Sequence, residues 1–148
     1  MKLLYILIES LLIEIGDIKN PYPWSKDETD DEGNVFYSFN SPGNEYTAAF
    51  AYIGVDVFEC TFNTVGDMGL DTGEGVPLRI LSTVMEIILD FIKKHSPNEI
   101  IFRPIKSKEG KDTRRFAIYG TFLRKNIPSE YNIMVFGDTY RAIRKKQT

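Results

Sequence analysis

Two reactive residue types occur only once each in this chain of 148 residues, as Cys60 and His95. A single cysteine forms no intramolecular disulfide and no cysteine-based zinc cluster, and a single histidine excludes multi-histidine metal sites. Cys60 alternates with Phe58 and Phe62, which predicts a small residue of the core and not a nucleophile. His95 ends a helical pattern beside two lysines, where cations are favoured, so we predict a helix-terminus residue and not a catalytic base.

A run rich in acidic residues at 27–32, followed by Gly33, has the composition of a calcium loop. Counted from Asp27, the glycine comes one position late, and Ser38 stands where such a loop needs its closing glutamate. The spacing therefore predicts a solvated charge run, and no metal site is expected.

Basic side chains are concentrated at the end of the chain. Residues 1–100 carry 6 Lys and Arg against 17 Asp and Glu, whereas residues 101–148 carry 12 against 4. Such asymmetry indicates either an anionic partner or two surfaces that face each other within the fold or between copies. The predicted partner-binding residues are Lys106, Lys108, Lys111, Arg114, Arg115, Arg144, Lys145 and Lys146.

The overall composition, 43% hydrophobic and 26% charged, is that of one globular domain. No apolar run reaches the ~18–20 residues that a membrane helix needs. Lys2 and the apolar stretch after it resemble a signal peptide, but Glu9 and Glu14 interrupt the stretch and no cleavage site follows. We therefore expect a reduced, soluble domain with no export and no membrane partner.

The elements that must position these residues show in the hydrophobic period. Residues 1–16 have helical spacing, which predicts a buried helix, with a strand as the alternative. Residues 35–63 alternate with a period of two, which predicts an antiparallel meander of three strands. Residues 77–94 then form the clearest helix, 99–105 a strand, 113–125 a second helix, and 133–136 and 140–143 the last strands. The predicted core residues are Leu81, Val84, Ile88, Phe91 and Phe102.

This order, a meander followed by a β-α-β unit, resembles the GNAT-type N-acetyltransferase fold over roughly residues 35–143. The resemblance implies an α+β fold with a mixed sheet and helices on both faces. We expect one GNAT-like domain over 1–148, with the N-terminal apolar helix and acidic loop, 1–34, as an extension.

The resemblance also assigns roles to individual residues. Gly73, Gly75 and Val76, just ahead of the long helix, are similar to the loop that cradles the pyrophosphate of acetyl-CoA, since glycines let backbone N–H groups approach phosphates. Glu59 is placed like the general base of the family, and Tyr119 like its general acid. Both roles apply only to an enzyme.

Two departures favour a domain without catalysis. Leu70 stands where the family has Arg or Gln, and the carboxylate of Glu74 would repel a pyrophosphate in the cradle. A second resemblance is to small uncharacterised proteins of tailed bacteriophages, carried by Asn20-Pro21-Tyr22-Pro23, Leu81-Ser82-Thr83-Val84 and residues 114–119.

The favoured interpretation is a phage-encoded accessory or virion-associated protein that uses a non-catalytic GNAT-like domain for protein-protein interaction. Its partner would be another protein, either a virion subunit or a copy of itself, in the host cytoplasm or in the virion, with no cofactor. The first alternative is an acetyl-CoA-dependent N-acetyltransferase. The second is a nucleic-acid-binding module that uses the basic residues.

Overall fold

The strands and helices follow the two hydrophobic periods of the sequence. The computed structural model describes residues 16–65, 78–103 and 113–146. In chain order the elements are β1 (Trp24–Lys26), β2 (Val35–Ser41), β3 (Asn44–Gly54), β4 (Val57–Val65), α1 (Leu78–His95), β5 (Glu99–Phe102), α2 (Thr113–Asn126), β6 (Tyr131–Phe136) and β7 (Thr139–Arg144). The helix predicted over 1–16 lies outside the described residues except for Gly16.

The seven strands form one mixed sheet in the order β1-β2-β3-β4-β5-β7-β6. Strands β1 to β4 are an antiparallel meander, which confirms the prediction for 35–63. The β2–β3 turn contains Gly43 with a φ of 84°, a left-handed conformation that glycine adopts without strain. Strand β5 lies parallel to β4, and β7 lies antiparallel between β5 and β6. The predicted α+β class, with a meander followed by a β-α-β unit, is confirmed.

Both described helices pack on one face of this sheet. On α1, Phe91 stacks on Phe50 of β3 with ring centroids 4.0 Å apart, and on α2, Tyr119 stacks on Phe62 of β4 at 6.1 Å. Phe50 pairs with Cys60, and Phe62 follows two residues later, so all three side chains lie on the same face. The prediction of helices on both faces is therefore wrong for α1 and α2.

The handedness of the connections explains the shared face. The first crossover runs from β4 through α1 to β5, and the second runs from β5 through α2 to β6, which is parallel to β5. Both crossovers step in the same direction across the sheet. Since crossovers between parallel strands are right-handed in nearly all proteins, two steps in one direction place both helices on one face.

Helix α1 is covered on a second side by the segment before β1. The backbone N–H of Lys19 donates to the hydroxyl of Ser82 at 3.1 Å, and that of Tyr22 donates to the hydroxyl of Thr83 at 2.8 Å. Both hydroxyl side chains are fully buried, and these bonds give each of them a hydrogen-bond partner from the segment before β1. Residues 16–23 therefore act as a strap over α1, and we refer to them below as the strap.

Residues 24–34, predicted as part of an extension, contribute a strand to the sheet. Trp24 begins β1, its indole packs edge-on against Tyr37 at 5.6 Å, and its N–H donates to the Glu86 carboxylate at 2.7 Å. Tyr37 also donates from its hydroxyl to Asp90 at 2.9 Å. Trp24 thus covers the edge of the core and joins β1 to α1.

The core lies between the sheet and the two helices. All five predicted core residues are buried, which confirms the helix face chosen from the pattern. Within the described ranges, no helix is long and apolar enough to cross a membrane.

Candidate functional site

The described pairing of β4 with β5 covers only the first part of β4. The two strands pair from Val57 opposite Glu99 to Cys60 opposite Phe102, and the N–H of Arg103 donates to the Cys60 carbonyl at 3.4 Å. β4 continues beyond Cys60 to its end at residue 65, where it is paired with β3. Among the residues that the structure describes, no strand pairs with the other edge of this last part of β4. We refer to this edge of β4, over residues 61–65, as the opening.

Tyr119 lies beside this opening, on α2. Its ring stacks on Phe62 at 6.1 Å and lies 6.2 Å from Phe102 and 6.3 Å from Tyr140, so aromatic rings surround it. The side chain is buried. Burial, with a smaller effect of Cys60, raises the pKa of Tyr119 well above its usual value, so the phenol stays protonated.

Cys60 faces the same aromatic cluster. It is a free and buried cysteine, and burial followed by the charge of Glu59 raises the pKa of its thiol. The thiolate is the nucleophilic form of cysteine, so this environment disfavours nucleophilic chemistry. Cys60 is a small core residue, as predicted.

Glu59 lies on the opposite face of the sheet. It precedes Cys60 in β4, so its side chain projects away from both helices, and its carboxylate pairs with the Arg103 guanidinium at 3.0 Å. The structure therefore does not bring Glu59 and Tyr119 together. The alternation of Glu59 with the apolar residues of β4 was a sequence signal for this separation.

The predicted phosphate cradle lies outside the described residues. Gly73, Gly75 and Val76 fall between the end of β4 and the first residue of α1, Leu78. Leu70 and Glu74, the two departures from the family pattern, fall in the same interval.

His95 is the last residue of α1, which confirms the predicted helix terminus. Its ring stacks on Phe91 at 4.7 Å, and the ammonium of Lys26 donates to its Nε2 at 3.3 Å. A lysine ammonium has no acceptor, so this bond requires a neutral imidazole with its proton on Nδ1. Burial and then the charge of Lys26 lower the pKa of His95, partly offset by Asp90.

The acidic loop binds its own backbone. One carboxylate oxygen of Asp30 accepts from the N–H groups of Glu32 and Asn34 at 3.0 and 2.9 Å, and the other accepts from the Asn34 amide at 3.0 Å. Within the described ranges, no group of His, Cys, Asp and Glu side chains has the arrangement of a metal site.

Of the predicted basic residues, only Arg144, Lys145 and Lys146 have side chains within the described part of the chain. Arg144 is the last residue of β7 and lies opposite Tyr131, at the end of the sheet where β5 begins. Lys145 and Lys146 follow it and are exposed. Helix α2, which carries Arg114 and Arg115 in its first turn, starts at the other end of β7, beside Tyr140. The side chains of Arg114 and Arg115, and all of Lys106, Lys108 and Lys111, lie outside the described part of the chain.

Three exposed apolar residues on β6 were not predicted from the sequence. Met134, Val135 and Phe136 are consecutive and 45–47% exposed. Among the described strands, β6 lies at one edge of the sheet, and it contains no charged residue and no proline. An uncharged run at the end of a sheet was the available signal, because edge strands normally carry charges or prolines that prevent pairing.

Comparisons with known proteins add no relative. No family model, no curated protein and no solved structure matches the chain. Inferences about function therefore rest on the geometry described above.

Proposed function

We propose that the chain is a protein-interaction domain on a GNAT-like sheet and that it does not catalyse acetyl transfer. The GNAT-like assignment is supported by the meander, by the parallel pair β4–β5 joined through α1, and by the opening beyond Cys60 and Phe102. The non-catalytic assignment is supported mainly by one observation, the placement of Glu59 and Tyr119 on opposite faces of the sheet.

A general base and a general acid must both come within hydrogen-bond reach of the same bound substrate, about 2.6–3.2 Å. Glu59 is engaged with Arg103 on the face without described helices. Tyr119 is enclosed by rings on the helix face. A substrate bound on either face of the sheet therefore comes within reach of only one of the two groups.

The interaction role is supported by the exposed end of β6. Met134 and Phe136 project from one face of β6 and Val135 from the other, and exposed apolar side chains on an edge strand are typical of a surface that binds proteins. A phage origin, association with the virion and a location in the host cytoplasm stay predictions from the sequence.

The second candidate, an acetyl-CoA-dependent N-acetyltransferase, is favoured by the opening, the edge of β4 that no described strand covers. It has a direct test, because acetyl-CoA would contact the segment ahead of α1, whose helix N-terminus favours phosphate. Calorimetric titration of the protein with millimolar acetyl-CoA should give no binding heat and no thermal shift.

A binding heat that is lost in Gly75→Val would support the enzyme and contradict the proposal, since a side chain at that position blocks the approach of phosphate. In that case, Tyr119→Phe should lower turnover by roughly 10²–10⁴-fold if the phenol is the general acid. A heat that Gly75→Val leaves unchanged would place acetyl-CoA elsewhere and leave the interaction role standing.

A further inference from the structure

We infer that β6 pairs with β6 of a second copy of this chain, in antiparallel orientation, to form one continuous sheet across a homodimer. The inference rests on the proposed interaction role and specifies its partner. It follows from the contrast between the two sheet edges, from the backbone groups that β6 leaves free, and from the symmetry of their spacing.

The two edges of the sheet differ in their protection. Strand β1 has three residues, includes Lys26, and follows Pro21 and Pro23, all of which discourage further pairing. Strand β6 has six residues, Tyr-Asn-Ile-Met-Val-Phe, without a charge or a proline. An edge of this kind is expected to be covered by another strand.

The hydrogen bonds to β7 identify the free groups of β6. The N–H of Lys145 donates to the Glu130 carbonyl at 2.8 Å, so this opposed pair is a hydrogen-bonded one. Antiparallel pairs alternate between bonded and non-bonded types, so Asn132 and Met134 also direct their N–H and C=O groups toward β7. Ile133 and Val135 consequently direct theirs to the outer edge, where no described residue pairs with them.

A two-fold axis perpendicular to the sheet selects the register. This symmetry keeps the helices of both copies on one face of the continuous sheet. Residues that oppose each other across two strands project to the same face, and Ile133 projects to the helix face, so it must oppose another residue of that face. Pairing Ile133 with Val135 of the second copy satisfies this condition and uses all four free backbone groups of the two residues. The register that pairs Ile133 with itself would oppose Val135 to Tyr131, whose N–H already donates to the Pro128 carbonyl at 3.0 Å.

In the selected register, Met134 meets Met134 of the second copy in a non-bonded pair, and Asn132 meets Phe136. The Cα atoms of such a pair are about 4.5 Å apart, within the range that a disulfide spans. Asn132 and its own copy are separated by four residues along the strand, or about 14 Å. At each end of the paired strands, Glu130 of one copy comes near Asp138 of the other. Both residues are acidic, so no attraction between opposite charges stabilises the dimer there.

The first test is the mass in solution. Light scattering behind size exclusion, at about 50 µM protein, should give twice the 17.0 kDa of one chain. Val135→Pro should give the mass of one chain, because it removes an outward N–H and no bond to β7, and prolines are tolerated on that side of edge strands. Circular dichroism of the variant should retain the wild-type spectrum. A wild-type monomer, or a folded Val135→Pro dimer, would overturn the inference.

The second test uses cross-linking and does not depend on the tolerance of β6 for proline. Met134→Cys should form a disulfide-linked dimer under mild oxidation. The matched variant Asn132→Cys, on the same face of the same strand, should form no disulfide between copies. The native Cys60 is buried and does not interfere. Equal cross-linking of the two variants, or none in either, would contradict the register. A monomer that binds no acetyl-CoA would reject the dimer and leave the non-catalytic assignment intact.

Discussion

The hydroxyl of Tyr140 on β7 donates to the Phe116 carbonyl on α2 at 2.7 Å, and the same tyrosine occupies the space where Gly120 would carry a side chain. Gly120 lies one turn after Phe116, and a methyl group on it would collide with the Tyr140 ring and hydroxyl. Because Gly120 has no side chain, α2 can approach β7 closely, and the hydrogen bond from Tyr140 keeps the helix in this position.

Gly120→Ala should therefore destabilise the fold by about 1–3 kcal/mol, because the tyrosine must shift out of a packed core. At an uncrowded helical position the same change would stabilise by about 1 kcal/mol, so the sign of the effect is diagnostic. Chemical denaturation measures it. Ala117→Gly, on the exposed side of the same helix, controls for helix propensity. A stabilised Gly120→Ala variant would contradict the close approach.

Phe91 should be among the most costly positions on α1. Its ring stacks on Phe50 at 4.0 Å and packs edge-on against Phe58 at 4.9 Å, with no exposed surface. Phe91→Ala should lower the free energy of unfolding by about 3–5 kcal/mol. Lys93→Ala, exposed on the same helix, should change it by less than about 0.5 kcal/mol. A decrease of less than about 1 kcal/mol in the free energy of unfolding of Phe91→Ala would contradict the packing of this ring against Phe50 and Phe58.

Local patterns predicted most elements correctly because they depend on neighbouring residues. The alternation of apolar residues over 35–63 predicted the three strands β2, β3 and β4. The three residues of β1 are too short to show a period. Their place in the sheet depends on contacts of Trp24 with residues more than ten positions away.

The candidate site was harder to predict because it depends on which face each element occupies. The face of α2 follows from the position of β6 two strands beyond β5, and nothing within residues 113–126 encodes that position. The separation of Glu59 from the helix face was predictable, because Cys60 and Glu59 alternate in one strand. The family resemblance pointed to Glu59 by its strand and not by its face.

The environment of His95 makes the stability of the fold depend on pH. Burial and the ammonium of Lys26 lower its pKa below the value of about 6.5 for a free histidine. At pH values between the folded-state pKa of His95 and about 6.5, the unfolded chain binds a proton that the folded chain does not. The free energy of unfolding should therefore decrease as the pH falls from about 6.5 through the folded-state pKa.

Denaturation at several pH values, compared with His95→Gln, isolates this contribution, since the carboxylates titrate in both proteins. His95 is the only histidine in the chain, so proton NMR of its ring reports a single titration. Lys26→Gln should raise the measured pKa of His95 by removing one cause of its depression. A pKa above that of free histidine in the wild type would show that the carboxylate of Asp90 dominates instead.

Binding to duplex DNA should be weak at physiological salt. The chain has a formal net charge of −3, which disfavours its approach to a polyanion. The acidic residues of positions 1–100 repel DNA as well. Association with an acidic protein surface should instead weaken gradually as the screening length falls from ~10 Å at 0.1 M salt to ~3 Å at 1 M.

Fluorescence anisotropy with a labelled duplex over a salt series separates these outcomes. A nucleic-acid-binding module would bind tightly, with a log–log salt slope near −0.9 for each phosphate neutralised. The charge reversals Arg114→Glu and Arg115→Glu would abolish that binding, whereas Lys145→Glu and Lys146→Glu, at the other end of β7, provide the matched control. Tight binding that depends on the first pair would contradict the interaction role proposed for this chain, because the basic turn of α2 would then serve phosphate and not protein.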